Sequence, residues 1–149
     1  MGPEGVLTDP VDLLSYEADG ASIFKGKADA VVLPRKAEEV AKVVKICRRK
    51  KIPIVPRCGG TSLSGGATPI KGGVVLHLSR MNRILEIDLE NQLAIVEAGV
   101  ANTAVSQVVR ETIYYYAPDP SSQPVSAIGG NIATNAGGAV SYTHLRAHE

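Results

Sequence analysis

Tryptophan is absent from this 149-residue chain, and its other aromatic side chains are five tyrosines and one phenylalanine. The basic run Arg48-Arg49-Lys50-Lys51 has no aromatic residue interleaved with it. It therefore reads as the solvated end of a helix and not as a nucleic-acid contact, where bases would need stacking platforms. A strong charge of one sign is missing too. The 16 lysines and arginines oppose 15 aspartates and glutamates, and the net of +1 offers no field to gather a polyanion. Cysteine is confined to Cys47 and Cys58. That rules out a disulfide framework, fits a reducing compartment, and leaves no Cys/His cluster for a metal. No apolar run approaches the roughly 20 residues of a membrane span. The first residues lack the apolar centre of a signal peptide and the hydroxyl residue of a myristoylation signal. The expectation is a soluble, cytoplasmic chain of one domain's length, long enough to build a core.

Glycine is what the chain has in supply, with 15 residues. The first concentration is Pro56-Arg57-Cys58-Gly59-Gly60-Thr61-Ser62-Leu63-Ser64-Gly65-Gly66. It follows the apolar run Ile52-Pro53-Ile54-Val55, which reads as a buried strand bounded by breakers. Glycine tolerates positive φ, so successive N–H groups can turn toward one point and form a concave anion site. Thr61, Ser62 and Ser64 add neutral donors, and Arg57 adds a planar cation suited to phosphate. The alternative is a flexible surface loop, but a strand feeding such a loop fits a diphosphate cradle better. No lysine lies between Lys51 and Lys71, which excludes a Walker-type loop, and G-x-G-x-x-G is missing from the stretch. An ordinary ATP or NAD site is disfavoured.

The second concentration is reached through Ala117-Pro118-Asp119-Pro120-Ser121-Ser122-Gln123-Pro124, a connector stiffened by proline. It leads to Ile128-Gly129-Gly130-Asn131-Ile132-Ala133-Thr134-Asn135-Ala136-Gly137-Gly138. A close backbone approach to a flat ligand needs such small residues. A glycine-rich loop packed on a neighbouring element is the competing reading.

Between these stretches the pattern is regular. Residues 30–33 form a β-rich run closed by Pro34, after an irregular or briefly helical lead-in over residues 1–27. Residues 36–51 read as an amphipathic helix with Val40, Val43, Val44 and Cys47 on one face. Acids at its start and bases at its end complement the dipole. Strand, helix and the strand at 52–55 make a βαβ unit, which sets the first glycine stretch at a strand's carboxyl end, where ligands usually sit. Residues 73–78 form a further strand in which His77 reads as structural. Residues 84–88 and 93–98 read as a hairpin around Glu90-Asn91-Gln92, with Glu86 and Glu97 facing solvent. A helix follows, capped by Asn102 or Thr103 and running to about Thr112, with Val105, Val108 and Val109 inward. Tyr114, Tyr115 and Tyr116 read as core packing.

These motifs, in this order, resemble the FAD-linked oxidases of the vanillyl-alcohol oxidase and p-cresol methylhydroxylase type. The similarity is greatest to the branch of glycolate oxidase GlcD-like and D-lactate dehydrogenase flavoproteins, and it covers residues 28–138. The resemblance implies an α+β FAD-binding domain with a βαβ subdomain and an antiparallel subdomain cut short. It divides the chain into a lead-in (1–27), an incomplete FAD-binding domain (28–140) and a tail unlike the family (141–149). Pro56, Arg57, Gly59, Gly60, Thr61 and Ser62 would hold the diphosphate, with Gly65 and Gly66 closing the loop. Pro118, Asp119, Ser122, Gly129, Gly130, Asn131, Ala133, Asn135, Gly137 and Gly138 would line the flavin side.

The implied chemistry is hydride transfer from a 2-hydroxy acid to non-covalent FAD. Thr61 stands where covalently flavinylated relatives carry histidine. Electrons would pass to a quinone, a cytochrome, an electron-transfer flavoprotein or oxygen, and partner subunits could bring the protein to a membrane. The catalytic residues would lie in a part of the family fold that these residues do not reach, so none is assigned. Two alternatives stay open: a flavin-binding subunit beside a separate substrate-domain chain, and a truncated, non-catalytic remnant. Cys58 reads as an inert small residue, with a redox-sensitive thiol as the alternative. His144 and His148 sit at i, i+4 in the tail, which reads as translated vector sequence and carries no metal site.

Overall fold

Four short, mostly β-branched runs build the first sheet: β1 (Val6–Leu7), β2 (Ala30–Val32), β3 (Ile54–Arg57) and β4 (Val74–His77). The computed structural model describes residues 2–138, which divide between Met81 and Asn82 into two compact units. In the first unit the strand order is β1-β2-β4-β3. β1 runs antiparallel to β2, while β2 and β3 both run parallel to β4. Val75 on β4 is paired with Val31 on one side and Val55 on the other. Val31 and Val75 are fully buried, and each such valine contributes about 1.5–3 kcal/mol of hydrophobic stabilisation.

A short helix α1 (Pro10–Leu13) precedes β2, its N-terminus capped by Asp9, whose carboxylate accepts the Val11 N–H at 2.8 Å. Helix α2 (Ala37–Lys50) connects β2 to β3. Glu38 and Glu39 lie in its first turn and Arg48, Arg49 and Lys50 in its last, as the dipole favours. It stops at Lys51, whose φ of 56° is left-handed and whose N–H caps carbonyls of the last turn. Of the expected inner face, Cys47 is buried, Val40 and Val43 are half-buried, and Val44 is exposed. The βαβ connection is present with one change: β4 lies between the two strands that α2 joins. The second strand also starts later than expected, at Ile54, and continues through Pro56 to Arg57. β3 borders the sheet, which is where a proline with no N–H to give is tolerated.

The second unit begins with the hairpin of β5 (Ile84–Asp88) and β6 (Leu93–Val96), whose register shifts between Ile84 and Glu86. Asp88 closes its turn by accepting the Asn91 N–H and side-chain amide at 2.9 and 2.7 Å. These bonds hold the Asp88 carboxyl below its ordinary range. Glu86 is exposed as expected, but Glu97 is not: it is buried just past the end of β6. Its carboxylate accepts the Arg83 guanidinium at 2.7 Å and the Arg83 N–H at 2.9 Å. Those bonds hold the Glu97 carboxyl below its ordinary range.

Helix α3 (Asn102–Val109) is shorter than its pattern suggested, and Ala101 occupies the cap position. Asn102 is instead fully buried inside the first turn, donating its amide to the Pro118 carbonyl at 3.2 Å. Val105 and Val109 face inward, whereas Val108 is exposed. Tyr116 packs on the core of Val100, Val105 and Ile128, while Tyr115 is exposed. The second glycine stretch opens as a helix, α4 (Ile128–Ala133), which its composition gave no reason to expect. No helix among the described residues is long and apolar enough to cross a membrane. The tail at 141–149, with His144 and His148, lies outside the described residues.

Candidate functional site

The first glycine stretch leaves the carboxyl end of β3 immediately after Arg57. Among the described residues, no hydrogen bond reaches the N–H groups of Gly59, Gly60, Thr61 and Ser62. Four successive backbone donors without a protein acceptor are what an anion-binding loop requires, since buried or half-buried donors otherwise find partners. Gly59 is exposed and the next three residues are half-buried, so the run stays within reach of a ligand. Gly60 and Gly65 adopt φ of 67° and 77°, the left-handed region that only glycine enters freely. Pro56 and Gly66 are exposed at the two ends of the stretch.

Arg57 has a role that its sequence context did not reveal. Its guanidinium donates to the carbonyls of Ala18 at 2.6 Å, Ala67 at 3.1 Å and Ser15 at 3.2 Å. It also lies over the Tyr16 ring, 5.6 Å from the centroid, in cation–π range. Burial lowers its pKa, and the charges of Tyr16 and Asp19 oppose that shift. A Cβ on Gly60 would fall on this guanidinium. Arg57 therefore braces the loop from beneath and ties it to the lead-in.

The lead-in is built into the first unit. β1 belongs to the sheet, and residues 15–20 run alongside the glycine loop. The Gly20 N–H donates to the Ser62 carbonyl at 3.0 Å, and the Gly65 N–H donates to the Asp19 carboxylate at 2.7 Å. The other Asp19 oxygen accepts the Ala21 N–H at 3.2 Å, and the residue is buried. Nothing in the local sequence marks Asp19, because its partner Gly65 lies far along the chain.

Cys58 and His77 accompany the loop at the carboxyl ends of β3 and β4. Burial pushes the Cys58 thiol up, away from the thiolate, which favours the inert reading. His77 pairs in register with Arg57 and meets the Tyr16 ring edge-on, with centroids 5.3 Å apart. Burial lowers its pKa, and Arg57 and Arg80 add to the effect. Its buried Nδ1 has no partner among the described residues.

In the second unit the connector and the second glycine stretch are brought together. The Asp119 N–H donates to the Gly137 carbonyl at 3.1 Å, and Gly138, at φ 82°, lies against Asp119 so closely that no Cβ fits. Ser122 turns the connector by accepting the N–H groups of Val125 and Ser126 at 2.9 and 2.8 Å. Gly129 packs onto Ala98: its N–H donates to the Ala98 carbonyl at 2.9 Å, and a Cβ would meet the Ala98 Cβ at 2.8 Å. Gly130 is different, exposed with nothing within 4 Å of a Cβ position. Ala133 and Asn135 are exposed, and Asn131 is buried. Among the described residues, four buried polar atoms here have no protein partner: Asn102 Oδ1, Asp119 Oδ1, Ser126 Oγ and Asn131 Nδ2. Orphaned donors and acceptors so concentrated fit a polar ligand edge better than a finished core. An open apolar groove of about 760 Å³ lies between the hairpin, α3 and the tyrosine run.

The FAD binding domain family matches residues 28–148. The glycolate oxidase subunit GlcD of Escherichia coli is 44% identical over 133 residues, covering 89% of this chain and 27% of that protein. The D-lactate dehydrogenase of Anaerostipes hadrus is 38% identical over 139 residues, covering 93% of this chain and 29% of that protein. Among solved structures, p-cresol methylhydroxylase with substrate bound superposes with a TM-score of 0.72 at 30% identity, over 89% of this chain and 27% of its own. The chain thus spans little more than a quarter of the relatives it matches.

Proposed function

Because the chain belongs to the FAD binding domain family, we propose that it forms the flavin-holding part of an oxidoreductase acting on a 2-hydroxy acid. The observation that carries this reading is the run of unpartnered N–H groups at residues 59–62, set at the carboxyl end of a parallel strand. Those donors, with the hydroxyls of Thr61 and Ser62, hold the diphosphate of FAD. Arg57 shapes the loop and supplies positive charge beneath it, while Gly65, at φ 77°, lets it close. In the second unit Gly130, Asn131, Ala133 and Asn135 take the flavin side, supported by the packed pairs Pro118–Asp119 and Gly137–Gly138. Gly129 serves that face indirectly, by letting α4 sit against Ala98.

FAD supplies the hydride acceptor, and the substrate's carbinol carbon supplies the hydride. We read the flavin as non-covalent, because residues 59–66 contain no histidine, cysteine or tyrosine to bond it. The names of the relatives, glycolate oxidase and D-lactate dehydrogenase, support the 2-hydroxy-acid class. The substrate pocket and the catalytic base belong to the larger part of such a protein that these residues do not span. Electron transfer to a quinone, cytochrome, electron-transfer flavoprotein or oxygen, in a cytoplasmic setting, completes the reading.

A chimera tests it. Residues 28–138 replace the matching segment of the Escherichia coli GlcD subunit, and the purified protein is mixed with glycolate or D-lactate without oxygen. Bleaching of bound flavin is expected. A folded, flavin-loaded chimera that neither acid reduces would contradict the assignment.

A further inference from the structure

We propose that Asp19 is a positioning residue for the diphosphate loop, a role that rests on the FAD reading above. It lies in the lead-in, outside the segment that matches the family. Its carboxylate is buried, 5% exposed, yet among the described residues no cation pairs with it directly. It is satisfied instead by two backbone donors, Ala21 N–H at 3.2 Å and Gly65 N–H at 2.7 Å. A charged acceptor on a backbone N–H is among the stronger hydrogen bonds a protein makes. The bond to Gly65 fixes the far end of the glycine loop, at a residue whose φ of 77° already departs from ordinary backbone.

Three further bonds act on the same segment. Gly20 N–H holds the Ser62 carbonyl, and Arg57 holds the carbonyls of Ala18 and Ser15. Residues 15–20 are thus a strap stitched to the loop at its start through Arg57, at its middle through Ser62, and at its end through Gly65. The free donors at 59–62 lie between the first and last of these stitches. An anion-binding loop binds well only when its donors are held in place beforehand, because ordering them on binding subtracts from affinity. Asp19 is the side chain that makes the last stitch, so it sets how far the loop is ordered before FAD arrives.

The test compares Asp19→Ala and Asp19→Asn with the parent chain. Hydrogen exchange is followed at Gly65 and across residues 58–66 without FAD, and FAD affinity is then measured by quenching of flavin fluorescence. In Asp19→Ala the Gly65 amide loses its protection and the loop exchanges faster, while β2 and β4 amides keep theirs. The FAD dissociation constant rises about 10- to 100-fold. Asp19→Asn keeps one acceptor oxygen, so it falls between the two in both readouts, and it carries the comparison should the alanine variant not fold. Unchanged loop exchange and unchanged affinity in both variants would overturn the proposal. Faster loop exchange with unchanged affinity would overturn it too, leaving Asp19 a purely structural tie. A parent chain that takes up no FAD refutes the cofactor reading itself, and the exchange data then still decide whether Asp19 anchors the loop.

Discussion

Gly60→Val abolishes FAD uptake by this chain. Gly60 sits at φ 67°, and a side chain there is strained whatever surrounds it, by roughly 1–2 kcal/mol and more for a β-branched residue. The Cβ would also fall on the Arg57 guanidinium. Arg57 cannot yield without releasing its bonds to Ser15, Ala18 and Ala67, which hold the lead-in to the loop. The substitution therefore disturbs the brace as well as the space above it. Gly66→Ala is the matched control, since its Cβ would meet only Ser62 Oγ at 3.6 Å and its backbone is unstrained. Equilibrium dialysis with FAD should show binding within about threefold of the parent for Gly66→Ala, under 1 kcal/mol. It should show none for Gly60→Val. Stoichiometric flavin on a folded Gly60→Val chain would remove residues 59–62 from the diphosphate site.

Gly129→Val destabilises the second unit. The new Cβ would meet the Ala98 Cβ at 2.8 Å and the Ala98 carbonyl oxygen at 2.9 Å, and neither is the free end of a flexible side chain. α4 must then lift from Ala98, breaking the Gly129 N–H bond and disturbing Ile128, which packs with Val100 and Val105. Overpacking of this kind costs about 1–3 kcal/mol, and here a backbone hydrogen bond is lost as well. Gly130→Ala, one residue on, has open space and gains up to about 1 kcal/mol of helix propensity. Hydrogen exchange of the β5 and β6 amides should accelerate at least tenfold in Gly129→Val and stay level or slow in Gly130→Ala. Equal protection in both would mean that the Ala98 contact does not hold α4.

The parts of this fold that sequence made legible are those decided within a few residues. Helix α2 announces itself through apolar spacing and through charges sorted to its ends, and the strand at β2 through a β-branched run stopped by Pro34. What stayed hidden depends on distant partners. The insertion of β4 between β2 and β3 is a matter of strand pairing, to which the α2 connection is indifferent. α4 carries two glycines near its start and forms because Ile128 and Gly129 bond to the carbonyls of Val100 and Ala98. Glu97 reads as solvent-facing from its place in the hairpin, but β6 ends before it, and Arg83 draws it inward. For the candidate site, glycine and hydroxyl composition exposed the loop itself. The strap that holds it was invisible, since Asp19 and Arg57 reach across some forty residues of chain to make their bonds.

Whether the loop at residues 59–62 holds a flavin dinucleotide is tested most directly by a visible absorption spectrum. The chain is incubated with FAD, desalted and scanned. Retained bands at about 370 and 450 nm, the ordinary positions for oxidised flavin, are expected at one flavin per chain, with all of it released into the supernatant when the protein is precipitated by acid. A folded, colourless chain would contradict that reading.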